Sequence, residues 1–124
     1  MSEQGPDEIV TRSVVLPATR ADVWAALTTP AELSFWLGEV LELDTRPTGG
    51  VIVREPDGAI RRGSVEAVEA GRSLVLRWRR LSGAGATFRA GEATRVTFEL
   101  DDDPDGTRLT VSEERVPLVT RSAR

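Results

Sequence analysis

The chain has 124 residues, 40% hydrophobic and 29% charged, a composition typical of one soluble globular domain. It contains no histidine and no cysteine, and all 16 of its basic residues are arginine. These absences exclude serine–histidine triads, thiolate or histidine metal sites and lysine Schiff bases. We therefore expect no metal, no cofactor and no catalytic residue, and an enzyme is the less favoured class. The net charge of −4 disfavours nucleic-acid binding.

The sequence carries no targeting or membrane signal. Residues 1–8 are polar and lack the apolar centre of a signal peptide, and no apolar run approaches ~18 residues. These features predict a cytoplasmic protein with no membrane partner. We expect residues 1–8 to form a disordered tail, 9–115 the folded domain and 116–124 a C-terminal tail.

The first third of the chain predicts one strand followed by two short helices. Residues 9–16 are rich in β-branched side chains, as strands are. Segments 19–22 and 29–32 each begin with a threonine cap and carry an acidic residue three positions later. Gly38 is a typical residue for the end of the second helix.

Everything after Gly38 predicts antiparallel strands joined by turns, with a loop rich in glycine and alanine at residues 82–91. In the last hairpin, pairing Leu100 with Leu109 also places Phe98 opposite Val111. The same register brings opposite charges together on the other face of the hairpin, so apolar and charged residues both find suitable partners.

The hairpin around residues 70–71 shows the same alternation. Its apolar face would set Leu74, Leu76 and Trp78 opposite Ala67, Val65 and Gly63. We expect Gly63 to leave room for the ring of Trp78.

An ordered series of short segments over residues 9–114 resembles one protein superfamily. Each segment is weak alone, and their order carries the resemblance: 23–27 (VWAAL), 29–33 (TPAEL), 36–38 (WLG), 46–50 (RPTGG), 57–63 (DGAIRRG), 74–78 (LVLRW), 94–100 (TRVTFEL) and 106–111 (GTRLTV). The chain resembles the helix-grip (START-like, or SRPBCC) superfamily, in the branch named after heat-shock-protein-90 ATPase activator homologues.

This resemblance implies an α+β helix-grip fold. A curved antiparallel β-sheet, with two short helices after the first strand, would wrap around a long C-terminal helix. A cavity for an apolar small molecule would lie between them. Relatives include lipid and hormone binders, aromatic polyketide cyclases and a co-chaperone domain, so the fold alone does not choose a function.

The chain departs from the family pattern after Glu114, where only ten residues remain and one of them is Pro117. A helix long enough to fill the sheet needs 15 residues or more, ~22 Å. We therefore expect that helix to be absent and the concave face to be an uncovered apolar patch. Its members are Leu74, Leu76, Trp78, Phe98, Leu100, Leu109 and Val111. A second subunit, further native chain, or collapse of Trp24 and Trp36 into the groove would cover it, and we favour a homodimer.

Eight residues are candidates for binding an apolar ligand in this groove. Aromatic and apolar side chains offer large contact areas, and Arg61 and Glu113 have the strand parity to orient a polar head group there. The eight are Trp24, Phe35, Trp36, Arg61, Leu76, Trp78, Phe98 and Glu113. The alternative is that the aromatic residues are ordinary core and that Arg61 and Glu113 reach water.

Three other charged features have open interpretations. The arginines of segments 61–62 and 77–80 either bind an anionic partner or form a solvated face balanced by Glu66 and other carboxylates. Residues 101–105 lack the spacing of a calcium loop and predict a polar turn. Acid–base chemistry near the groove has three candidates, Glu39, Glu42 and Glu113, and would need one of them to be buried and facing the cavity.

The favoured function is non-catalytic binding of a small hydrophobic ligand in the concave groove of a START-like domain. The alternative is a protein-interaction or co-chaperone-like module, and a polyketide cyclase-like enzyme comes third. The expected partners are a small apolar molecule and a second copy of the chain, with no nucleic acid and no membrane.

Overall fold

The computed structural model of the protein describes residues 9–81 and 93–116. Its elements are β1 (Ile9–Leu16), α1 (Arg20–Leu27), α2 (Pro30–Leu37), β2 (Glu39–Leu43), β3 (Gly50–Arg54), β4 (Ile60–Glu69), β5 (Ser73–Leu81), β6 (Ala93–Asp103) and β7 (Gly106–Val116). The predicted tail at 1–8, the predicted loop at 82–91 and residues 117–124 of the predicted tail at 116–124 lie outside the described residues. Val116, placed in the tail from the sequence, is the last residue of β7.

The seven strands form one antiparallel sheet in the order β1-β7-β6-β5-β4-β3-β2. The two helices follow the first strand, as the helix-grip fold requires, so the predicted α+β class is confirmed. Within residues 9–81 and 93–116, neither helix is longer than eight residues, and the predicted absence of a long C-terminal helix agrees with this. No helix in those ranges has the length and apolar character needed to cross a membrane.

Both helices begin at the predicted caps. The Thr19 hydroxyl accepts a hydrogen bond of 3.1 Å from the backbone N–H of Asp22. Thr29 makes no such bond within the described chain, and its hydroxyl donates back to a carbonyl of α1. Pro30 supports this second start, because the first helical position needs no N–H donor. Gly38 ends α2 with φ at 110°, in the region that favours glycine.

The hairpin of β6 and β7 has the predicted register. Leu100 lies opposite Leu109, and Phe98 lies opposite Val111. On the outer face, Arg95 lies opposite Glu114 and their side chains are 3.0 Å apart. Complementary cross-strand pairs therefore determined this register locally.

The hairpin of β4 and β5 differs from the prediction near its turn. Gly63 lies opposite Trp78 and Val65 opposite Leu76, as predicted. A register shift between Val65 and Ala67 then places Leu74 opposite Val68, so the predicted Leu74–Ala67 pair is wrong. The cause is a β-bulge, which inserts one extra residue into one strand.

Gly63 is required for a different reason from the predicted one. A Cβ atom added there would lie 1.9 Å from the carbonyl oxygen of Arg77 and 2.5 Å from the Cα of Trp78. The close approach of the β5 backbone, more than the size of the indole ring, therefore excludes a side chain at this position.

The apolar core lies between the concave face of the sheet and the two helices. Val23, Leu27 and Leu33 of the helices join the buried strand residues in one cluster, and α1 packs against β6 and β7. The predicted uncovered patch is therefore wrong for six of its seven residues, which are at most 3% exposed: Leu74, Leu76, Trp78, Phe98, Leu100 and Leu109. Val111 is half-buried. The short helices bury the centre of the face that was expected to need a partner.

Candidate functional site

A partly open pocket of about 260 Å³ lies on the concave side, between β1, the end of α2 and the centre of the sheet. Its apolar wall is formed by Val10, Leu37, Trp78, Val96 and Val111. Its polar wall is formed by Arg12, Glu55, Arg61 and Glu113. One apolar wall facing a few polar groups is typical of small-molecule sites.

Arg61 is the centre of the polar wall. Its guanidinium carbon lies 5.0 Å from the centroid of the Trp78 ring, within the range of a cation–π interaction. Its Nη1 atom donates a hydrogen bond of 3.0 Å to Oε2 of Glu113, and its Nε atom forms an ion pair with Glu55. Nε is buried and makes no hydrogen bond to the described residues. Its interaction with Glu55 is therefore an electrostatic attraction between opposite charges.

The burial of this charged group distinguishes it from ordinary surface pairs. The side chain of Arg61 is 21% exposed and that of Glu55 is 15% exposed, whereas Glu113 is 40% exposed and reaches the pocket opening. Charges that leave water need partners to offset their desolvation. Glu55 and Glu113 supply those partners for Arg61.

Sheet curvature brings Arg61 and Glu113 together. Arg61 belongs to β4 and Glu113 to β7, with β5 and β6 between them. On a flat sheet, three strand spacings of ~4.8 Å would hold their backbones ~14 Å apart. Both side chains lie on the concave side, as their strand parity predicted, and concave curvature shortens the distance between their tips. Their role in ligand binding stays a prediction.

The other sequence candidates lie in several environments. Leu76 and Phe98 are fully buried core residues that do not line the pocket. Trp24 is half-buried and packs against the core. Phe35 is 87% exposed and lies outside the pocket wall. Trp36 belongs to α2, and its side chain is outside the described part of the structure.

Sequence reasoning missed several wall residues, notably Arg12 and Glu55. Arg12 lies opposite Val111 in the β1–β7 pairing, and it makes no hydrogen bond or ion pair with any described residue. Its parity with Val10 places it on the concave side, and that signal was present in the sequence. Glu55 belongs to a turn after β3, where no periodicity indicates the direction of a side chain.

The three candidate acid–base carboxylates differ in their exposure and in their position relative to the pocket. Glu39 and Glu42 are exposed, and Glu39 pairs with Arg54 at 3.2 Å. Glu113 faces the pocket and is held by Arg61. A cyclase-like mechanism would thus rest on Glu113.

The acidic segment at 101–105 forms the end of β6 and the following turn. Asp103 accepts a hydrogen bond from the backbone N–H of Asp105 at 3.0 Å and pairs with Arg108 at 3.0 Å. Among the described residues, no group of three or more metal-binding side chains is placed to hold an ion.

Comparison with models of protein families identifies the family of this chain. The model of a family described as "Activator of Hsp90 ATPase homolog 1-like protein" matches residues 17–123. The chain belongs to this family. The match confirms the SRPBCC, or START-like, resemblance, because this family is part of that superfamily.

Solved structures share the fold of this family member. MLL2253 from Mesorhizobium loti superposes with a TM-score of 0.73 at 22% identity, covering 88% of this chain and 77% of that one. A protein from Rhodobacter sphaeroides gives 0.68 at 23% identity, covering 91% and 77%.

A third solved structure is DynU16, a protein of the dynemicin biosynthetic locus. It gives a TM-score of 0.72 at 27% identity, covering 89% of this chain and 38% of that one. The family member therefore spans less than half of DynU16. Among curated proteins, none matches this chain in sequence.

Proposed function

We propose that this family member binds a small hydrophobic ligand in the concave pocket and leaves it chemically unchanged. The observation that carries the proposal is an apolar wall that faces the partly buried Arg61–Glu113 contact of 3.0 Å. The apolar wall would hold the body of the ligand, and the ion pair would orient one polar group on it.

The size and shape of the pocket narrow the ligand class. Its volume of about 260 Å³ is close to the lower end of the usual ~300–1,000 Å³ range. The Trp78 ring in the wall favours flat aromatic partners, because offset stacking adds to apolar contact. A one- or two-ring aromatic molecule with one polar substituent therefore fits better than a long-chain lipid.

A cyclase-like enzyme is the second candidate function. It is favoured by the position of Glu113 at the pocket and by the resemblance to DynU16 of the dynemicin biosynthetic locus. The engagement of Glu113 with Arg61 favours binding instead, since taking a proton would neutralise the carboxylate and weaken its charge interaction with the guanidinium. The family also fits a protein binder. A co-chaperone-like role, a homodimer and a cytoplasmic location stay predictions.

Ligand binding can be tested with 2-naphthol and 2-naphthoic acid as probes, by isothermal titration calorimetry. We expect saturable binding that Val111→Phe weakens at least ~10-fold, because the larger ring would occupy the pocket. Val75→Phe on β5 is the matched control, because Val75 is half-buried and does not line the pocket. Equal binding by the two variants, or no saturable binding of either probe to the wild type, would contradict the proposal.

The same samples separate binding from catalysis. Mass spectrometry of the recovered probes, after prolonged incubation with the protein, should show unchanged masses. Because both probes lack the chain that a cyclase closes, a linear poly-β-ketone thioester should be incubated in parallel. Cyclised product that disappears in Glu113→Gln would favour the enzyme instead.

A further inference from the structure

A second groove, of about 470 Å³, lies on the convex face of the sheet, away from the ligand pocket. Its floor contains small residues and its rim contains arginines; the lining is Arg62, Gly63, Ser64, Arg77, Trp78, Arg79 and Ala93. Of the described lining residues, Trp78 is shared with the ligand pocket, and the arginines of the groove are not. Arg62, Arg77 and Arg79 belong to the basic concentration noted in the sequence, whereas Arg61 lines the ligand pocket.

Arg62 and Arg77 carry uncompensated charge in this groove. Both are exposed, and neither makes a hydrogen bond or ion pair with any residue of the described chain. Arg62 lies directly opposite Arg79, and Ser64 lies opposite Arg77. Like charges placed directly opposite each other on neighbouring strands are destabilising. An anion bound at Arg62 and Arg77 would supply the charge partners that the described residues do not supply.

Arg95, on the adjacent strand and the same face, shows the opposite situation. It lies opposite Arg77, and Glu66 receives hydrogen bonds from its Nε and Nη2 atoms at 3.0 and 3.2 Å. Glu114 receives a third at 3.0 Å, and the two carboxylates together raise the pKa of Arg95. Glu66, expected from the sequence to balance the arginines together with other carboxylates, is thus engaged by Arg95. Arg62 and Arg77 have no carboxylate partner among the residues that the structure describes.

We propose that the convex groove docks an extended acidic segment of a partner protein, through two carboxylates two residues apart received by Arg62 and Arg77. These arginines are diagonal neighbours on paired strands, and residues in that relationship are ~7–8 Å apart. Alternate side chains of an extended segment point the same way at a spacing of ~6.6–6.8 Å. The two spacings match within the reach of an arginine side chain, and guanidinium groups pair well with carboxylates.

The groove suits a peptide better than a compact anion or a nucleic acid. Its floor of Gly63, Ser64 and Ala93 has little side-chain bulk, so another backbone can approach the sheet. Small-molecule sites usually enclose most of the ligand, and this groove lies on the face of an open sheet. A net charge of −4 on the whole chain opposes the approach of a polyanionic nucleic acid.

The test is an NMR titration of the full chain with a capped heptapeptide that carries glutamate at alternate positions. At low salt we expect a Kd of ~0.1–1 mM, with amide shifts along β4 and β5 around the groove. Arg62→Gln and Arg77→Gln should each weaken binding ~3- to 5-fold. Raising the salt to ~0.3 M should weaken it further, because exposed pairs are screened.

Arg72→Gln is the matched control. It removes the same charge at the β4–β5 turn, where Arg72 has its own partner Glu69 at 3.8 Å, and it should change the Kd less than ~2-fold. Unchanged amide spectra outside the substituted site would show that each variant is folded.

Three results would overturn the proposal. One is equal binding by the wild type and both groove variants. Another is equal binding of the peptide with glutamine at the same positions. The third is tighter binding of inorganic pyrophosphate or a single-stranded oligonucleotide than of the peptide at the same salt, which would assign the arginines to phosphate groups.

Discussion

Arg61 on β4 donates a hydrogen bond of 3.0 Å to Glu113 on β7, although β5 and β6 lie between their strands. The contact spans the concave face and joins the two sides of the curved sheet. Glu55 and the ring of Trp78 complete the surroundings of the guanidinium. The same contact therefore supports the fold and forms the polar wall of the proposed ligand pocket.

Removal of Arg61 should destabilise the protein more than neutralisation of Glu113. Arg61→Ala leaves the mostly buried Glu55 without this partner and should lower the free energy of unfolding by ~1–3 kcal/mol. Glu113→Gln keeps a hydrogen-bond acceptor on a more exposed side chain and should cost at most ~1 kcal/mol. Urea unfolding curves measure both losses. Equal losses of unfolding free energy in the two variants would show that Glu55 does not need Arg61 as a charge partner.

Gly63→Ala should be strongly destabilising because the new methyl group would meet backbone atoms of β5. We expect a loss of ~2–4 kcal/mol, at or above the usual range for overpacking, measured by thermal or urea unfolding. Gly71→Ala is the control: its φ is 76°, but a Cβ atom there would meet nothing within 4 Å. It should cost only ~1 kcal/mol. A larger loss of stability for Gly71→Ala than for Gly63→Ala would contradict the close approach of β4 and β5.

The phenylalanines 98 and 35 provide a matched pair for the core. Phe98 is 0% exposed and Phe35 is 87% exposed. Phe98→Ala should therefore cost ~3–5 kcal/mol through lost burial and the cavity left behind. Phe35→Ala should stay within ~0.5 kcal/mol of the wild type. A large loss for Phe35→Ala would mean that this ring is covered in solution, for instance by a second copy of the chain.

Asp44 should titrate at unusually low pH. Hydrogen bonds from the Arg46 side chain, at 2.7 and 2.9 Å, and from its backbone lower the pKa of Asp44 to about 2. Arg46→Gln should raise that pKa toward the ordinary ~3.9, as measured by NMR titration of the carboxyl carbon. An unchanged pKa in the variant would exclude Arg46 as the cause.

The sign of the accompanying pH dependence follows from the lowered pKa of Asp44. The folded state holds the proton less tightly than the unfolded state. The stabilisation by the Asp44–Arg46 pair is therefore present above pH ~4 and is lost as the pH falls toward 2. Because the pair lies at the surface, high salt should reduce this dependence.

Local patterns predicted the elements well. Alternating side chains located the strands and the register of β6 and β7, and threonine caps located both helix starts, because these signals act over a few residues. The bulge between Val65 and Ala67 was not predictable in this way, since either register keeps apolar residues on the inner face. Of the polar wall, parity indicated Arg61 and Glu113, while Glu55, in a turn, carried no such signal.

The amino-acid sequence by itself therefore determined the order of elements, the two faces of the sheet and the family. Only the tertiary structure decided how strongly the sheet curves and where α1 and α2 pack. Those two features bury the expected open patch and bring Arg61 to Glu113. The physical reason is that periodicity assigns a side chain to a face, whereas its neighbours on that face depend on curvature summed over several strands.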